Sequence, residues 1–139
     1  MTKLVNVENR ISVVEKYLKI LEHYYQYSQS DIENSVEKKG SVERYLYLAV
    51  QSTIDLAESV ISFKEFRKPS SLSDSFYILN EEGLINLELT NKMIQMTGFR
   101  NVLSHEYEKI DYKIIYDVLV NGCKDILDFV DVIREKLAL

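Results

Sequence analysis

Residues that interrupt helices are almost absent from this chain: one proline, Pro69, and four glycines punctuate 139 residues. So few breakers among many Leu, Ile, Val, Glu and Lys favour an all-α protein. Apolar spacings of three and four then mark the helices. The first is expected from about Val5 to Tyr27, with Ile11, Val14, Leu18, Leu21 and Tyr25 on one face. A turn over Ser28 to Asp31 follows, with Asp31 the expected cap of a short helical stretch that Gly40 breaks or bends. From Ser41 a long helix carries Leu46, Val50, Ile54, Ala57 and Ile61, and it should stop before Pro69.

"KPSSLSDSF" reads as a loop, and Ser71 or Ser73 is placed to cap a short helix through Leu79 that ends near Gly83. Asn86 opens the next long helix, whose stripe is Leu89, Met93, Met96 and Leu103. Asp111 caps the last, with Ile115, Leu119, Ile126, Val130, Ile133 and Leu137 inward. Four long amphipathic helices with an additional short one predict an up-and-down four-helix bundle, a single domain over residues 1–139. An apolar content of 46% is enough to fill its core.

The net charge of −5 argues against a broad nonspecific grip on nucleic acid, which needs a basic surface. Local patches remain conceivable at Arg67 and Lys68 or at Lys38, Lys39 and Arg44, but solvated helix faces are the favoured reading of them. A lone cysteine, Cys123, forms no internal disulfide and fits a reducing cytoplasm. The N-terminus shows no apolar signal core, and no apolar run is long enough to span a bilayer. Ten tyrosines, among them Tyr24, Tyr25, Tyr27, Tyr45 and Tyr47, read as boundary residues with a packed ring and a wet hydroxyl; stacking on RNA bases is the competing role.

One stretch resists a purely structural reading. In "GFRNVLSHEYEKID", Arg100 falls on the apolar stripe, flanked by Met96 and Leu103. A guanidinium facing a dry core carries a large desolvation cost, so the stripe opens there onto a groove, a carboxylate or a partner surface. Tyr107 lies on the same helical side two turns on, and Asn101 is placed to hydrogen-bond His105 four residues later. The plain alternative is an ion pair for Arg100 and a histidine that helps end the helix.

That stretch, with "ERYLYLAVQSTIDLAESVIS" upstream, resembles the HEPN superfamily, and within it the minimal toxins paired with an MNT-type nucleotidyltransferase antitoxin. The signature of that group is Arg, a polar residue, three more residues, His, any residue and Tyr, matched here by Arg100, Asn101, His105, Glu106 and Tyr107. The resemblance implies a metal-independent endoribonuclease with no cofactor, acting on RNA (tRNA among the candidates) as a homodimer whose motif helices line one cleft. His105 would then move the proton of a ribose 2′-hydroxyl, Arg100 would stabilise the phosphorane-like transition state, and Asn101 would support them. It also implies that the antitoxin silences the toxin by transferring AMP to Tyr107. A non-catalytic HEPN module that docks a nucleotidyltransferase or binds a nucleotide is the alternative, and a bundle with no site at all is the plainest.

Overall fold

The longest helix sets the architecture. In the computed structural model, which describes residues 2–104 and 111–139, helix α3 runs over Val36–Lys64. Ser35 caps it, its hydroxyl accepting from the Lys38 amide at 3.2 Å. Gly40 lies inside this helix and breaks nothing, so α3 starts over a turn earlier than expected. Between Leu46 and Ile61 its buried residues cover most of its girth, and the hydroxyls among them are satisfied locally. Thr53 donates to the Ala49 carbonyl at 2.7 Å and Ser59 to that of Leu56 at 2.7 Å.

The remaining helices surround α3. Helix α1 covers Thr2–Glu22 and tightens into a 3-10 turn over His23–Gln26. Helix α2, Gln29–Glu33, is capped by Ser28 rather than Asp31. The two form a reciprocal box, with Ser28 Oγ accepting from the Asp31 amide and Asp31 Oδ2 from the Ser28 amide, both at 3.1 Å. Helix α4, Leu72–Glu81, takes Ser71 as its cap and ends at Gly83, whose φ of +75° suits glycine. Helix α5, Leu87–Ser104, starts where Asn86 Oδ1 accepts from the Leu89 amide at 2.8 Å. Asp111 caps α6, Tyr112–Asp117, which passes through a π turn over Val118–Gly122 into α7, Cys123–Leu137.

Cross-helix pairs fix the topology. Lys3 donates to the Ser62 carbonyl, Arg10 faces Asp55 and Tyr17 faces Tyr45, so α1 and α3 are antiparallel. Lys92 meets Asp125 and Met96 meets Gly122, so α5 and α7 are antiparallel as well. Arg134 closes the ring by gripping Glu15 of α1 through two hydrogen bonds of 2.6 and 2.9 Å. That guanidinium is the main reason the Glu15 carboxyl is held below its usual range. The fold is therefore the expected all-α up-and-down bundle, with α2 and α4 as short additions.

Three details depart from the sequence reading. The 3-10 turn carries Tyr25 off the buried face to 39% exposure, and Val7 joins that face at the other end. Arg67 forms no free basic patch, because its fork binds Asp74 at 2.8 and 3.0 Å and Glu81 at 2.9 and 3.2 Å. The last helix is not uniform. Its wide turn changes the side presented to the core: α6 packs on α2, whereas α7 packs on α1 and α5. Gly122 lets α5 come close there, since an added Cβ would lie 2.9 Å from Met96 Cε. Among the described residues, no helix is long and apolar enough to cross a membrane.

Phe76 of α4 and Phe129 of α7 meet edge to face in the core, with centroids 5.4 Å apart. Phe129→Ala removes that ring from a fully buried position. It should lower unfolding free energy by about 3–5 kcal/mol, measured by guanidinium denaturation; a loss under about 1 kcal/mol would contradict this packing.

Candidate functional site

Along α3, Lys39, Glu43, Tyr47, Gln51 and Asp55 recur every four residues and so form one polar ridge. The ridge meets the chain on both sides of the stretch that carries His105 and Tyr107. Before that stretch, Arg100 of α5 donates from Nε to Gln51 Oε1, and its guanidinium carbon lies 5.6 Å from the Tyr47 ring centroid. After it, the Tyr112 hydroxyl donates to Glu43 Oε2 at 2.7 Å, and Lys39 Nζ sits 5.2 Å from the Tyr112 ring centroid. Burial first, and then the Glu43 carboxylate, push the Tyr112 hydroxyl above the ordinary tyrosine range, so it remains a donor at physiological pH.

Arg100 is half-buried, as its place on the stripe requires. Its Nη1 donates to Asn101 Oδ1 at 3.2 Å. Both of its hydrogen-bond partners are neutral amides, and among the described residues no carboxylate forms an ion pair with it. A groove, one of the openings foreseen for the stripe, is present. Glu43, Arg44, Tyr47, Leu103 and Ser104 line a concavity of about 270 Å³ beside Arg100. Arg44 is exposed, with its guanidinium carbon 5.9 Å from the Tyr47 ring centroid.

The four residues singled out from the sequence divide evenly. Arg100 and Asn101 are adjacent and hydrogen-bonded, whereas His105 and Tyr107 lie outside the described residues. Gln51, Tyr47 and Glu43 were not foreseen as part of the site. Their signal was a polar or tyrosine residue at every fourth position from Lys39 to Asp55. The partner they serve is 49 residues away in the case of Gln51, and no local pattern reveals that pairing.

A larger concavity, about 410 Å³, lies between α1 and α7 and includes Leu18, Tyr25, Cys123 and Leu127. Burial pushes the Cys123 thiol up to about 12, so it is protonated and a poor nucleophile near neutral pH. Among the described residues, no group of three His, Cys, Asp or Glu side chains is arranged to hold a metal ion.

Bundle and motif together define the class that the sequence resembles, a HEPN-type helical domain. Within that class the chain belongs to the ribonuclease HepT-like family, whose model matches residues 14–133. It is 26% identical over 126 residues to an mRNA nuclease HepT of Shewanella oneidensis, covering 91% of this chain and 94% of that protein. It is 30% identical over 107 residues to a tRNA nuclease HepT of Aphanizomenon flos-aquae, covering 77% of this chain and 73% of that one. Among solved structures, it is similar to a tri-AMPylated Shewanella oneidensis HEPN toxin in complex with an MNT antitoxin. That likeness has a TM-score of 0.84 and 26% identity, over 93% of this chain and 96% of the other.

Tyr112→Phe deletes the donor to Glu43 and leaves the ring in place. Loss of a charge-assisted, part-buried hydrogen bond should lower stability by about 1–2 kcal/mol. Thermal and chemical unfolding measure this, and an unchanged midpoint would mean that the Glu43 contact holds nothing.

Proposed function

We propose that this protein is the ribonuclease toxin of a toxin–antitoxin pair, acting in the cytoplasm as a homodimer and cutting RNA without a metal. The observation that carries this reading is Arg100, a half-buried fork at the end of an apolar stripe, fixed by neutral partners beside an open groove. A cation oriented this way keeps its charge available for a phosphate. The naming of two relatives as nucleases of mRNA and of tRNA supports RNA as the substrate class.

In the reaction, His105 takes the proton of a ribose 2′-hydroxyl. The 2′-oxygen attacks the neighbouring phosphorus, and the bond to the 5′-oxygen breaks. A second histidine or water returns a proton to that oxygen, leaving a 2′,3′-cyclic phosphate and a 5′-hydroxyl. Arg100 binds the non-bridging oxygens as negative charge builds on them, and Asn101 holds the fork or the phosphate. The two copies of α5 meet so that a pair of motifs lines one cleft.

Tyr107 is the regulatory residue in this reading. Its phenol oxygen attacks the α-phosphorus of ATP on the antitoxin, pyrophosphate leaves, and AMP remains on the tyrosine. The added anion competes for Arg100, and the added bulk closes the cleft. The AMPylated state of the Shewanella oneidensis toxin in its antitoxin complex supports this assignment.

Protein that sediments as a dimer should cleave total RNA in the presence of EDTA and leave cyclic-phosphate ends. His105→Ala and Arg100→Ala should each lower the rate by about 10²–10⁴-fold while keeping the helical circular dichroism of the parent. A strict need for a divalent ion, or full activity in a monomer, would overturn the mechanism.

Co-expression with an adjacent nucleotidyltransferase should add AMP to Tyr107, read by intact mass and peptide mapping, and the modified protein should not cut RNA. Inhibition without modification, or AMP on another tyrosine, would overturn the regulatory role. Binding to the nucleotidyltransferase with no cleavage by any preparation would identify a docking module instead.

A further inference from the structure

The polar ridge of α3 contains one residue whose chemistry is hard to replace. Gln51 faces Arg100 on one side and Asp55 on the other. Its Oε1 accepts from Arg100 Nε, and its Nε2 donates to Asp55 Oδ1 at 3.0 Å. The orientation of the carboxamide is not arbitrary, because a guanidinium only donates and a carboxylate only accepts. Asp55 in turn faces Arg10 of α1, with 3.8 Å between Nη1 and Oδ2. A series of polar contacts thus links α1 through α3 to the guanidinium on α5, with Arg10 and Gln51 converging on the Asp55 carboxylate from opposite ends.

We infer that Gln51 is a positioning residue for the ribonuclease reaction: it aims the Arg100 fork at the scissile phosphate without neutralising it. The inference rests on the nuclease reading given above. Two requirements converge on a glutamine. An acceptor is needed toward Arg100 and a donor toward Asp55, and a carboxamide supplies both. The acceptor must also be neutral, because a carboxylate there would pair with the charge that the phosphate needs. With Nε held by Gln51 and the guanidinium near the Tyr47 ring, the outer Nη edge faces the groove, and among the described residues it makes one bond, from Nη1 to Asn101.

The test compares four variants of the full chain, purified as the dimer, for kcat, KM and RNA affinity as a function of salt. Gln51→Leu removes both hydrogen bonds at similar volume. It should lower kcat by about 10–100-fold with KM within about threefold of the parent, the pattern of a misaimed transition-state contact. Gln51→Glu keeps the acceptor but loses the donor and sets two carboxylates side by side, so it should lose both kcat and affinity. Gln51→Glu with Asp55→Asn restores a donor–acceptor chain at unchanged net charge. The carboxylate introduced at position 51 still pairs with Arg100, so kcat should stay well below that of the parent, and RNA should bind with a salt slope shallower by roughly 0.7, the share of one phosphate contact on a single strand.

Arg100→Ala is the reference. If the parent cuts no RNA, or Arg100→Ala cuts as well as the parent, the nuclease reading fails and this inference with it. If Arg100→Ala is inactive while Gln51→Leu keeps kcat within about twofold, only the inference about Gln51 is overturned. It is likewise overturned if the double variant matches the parent in kcat, or if activity falls only in proportion to the folded fraction seen by circular dichroism.

Discussion

Everything in this molecule depends on how α3 is buried. Where α3 is covered by its neighbours, between Leu46 and Ile61, a polar side chain that is not exposed needs a partner from a neighbouring helix or from its own backbone. The hydroxyls of Thr53 and Ser59 find theirs one turn back, in the carbonyls of Ala49 and Leu56. The longer polar residues of the ridge cannot do so and reach outward, to Tyr112, Arg100 and Arg10. Burial of one helix therefore dictates where α5 and α6 present their polar groups. The site follows from the packing and is not laid over it.

The bundle was legible because its signals are local. Ile11, Val14 and Leu21, or Ile126, Val130 and Ile133, announce a buried face by spacing alone, and all six are in the core. Ser71, Asn86 and Asp111 announce helix starts through side chains that reach only two or three residues. What escaped depends on geometry over longer range. The π turn leaves little trace in the spacing, since Leu119 and Ile126 are seven residues apart and fit a regular helix equally well. Gly40 was given the wrong role because a helix held by neighbours tolerates a glycine that an isolated one would not.

Of the candidate site, the sequence marked Arg100 but not its partners on α3. Arg100 stood out because a charge on an apolar stripe is costly, and the structure gives it the groove and polar partners that the cost demands. Which partners was not legible, because α3 and α5 come together only in the folded bundle. The basic residues divide in the same way. Arg67 has an exposed but saturated fork on Asp74 and Glu81, and Arg134 is taken by Glu15. Arg100 and Arg44 lie instead near one tyrosine ring beside an open groove. Among the described residues, Arg67 and Arg134 pair with carboxylates while Arg100 bonds to amides, and sequence charge alone does not distinguish the two kinds.

The wide turn at Val118–Gly122 also bears on heredity. An α-helix advances about 100° per residue, so one codon lost or gained between Cys123 and Asp128 would swing everything downstream by that angle. Phe129, Val130 and Ile133 would leave the core, and Arg134 would leave Glu15. The present angle between the faces of α6 and α7 is itself set by the π turn, so the reading-frame length of this segment is locked by packing at both ends. Length changes in descendants of this gene are expected in the loops, such as the one around Pro69, while the last helix keeps its residue count even where its surface side chains drift.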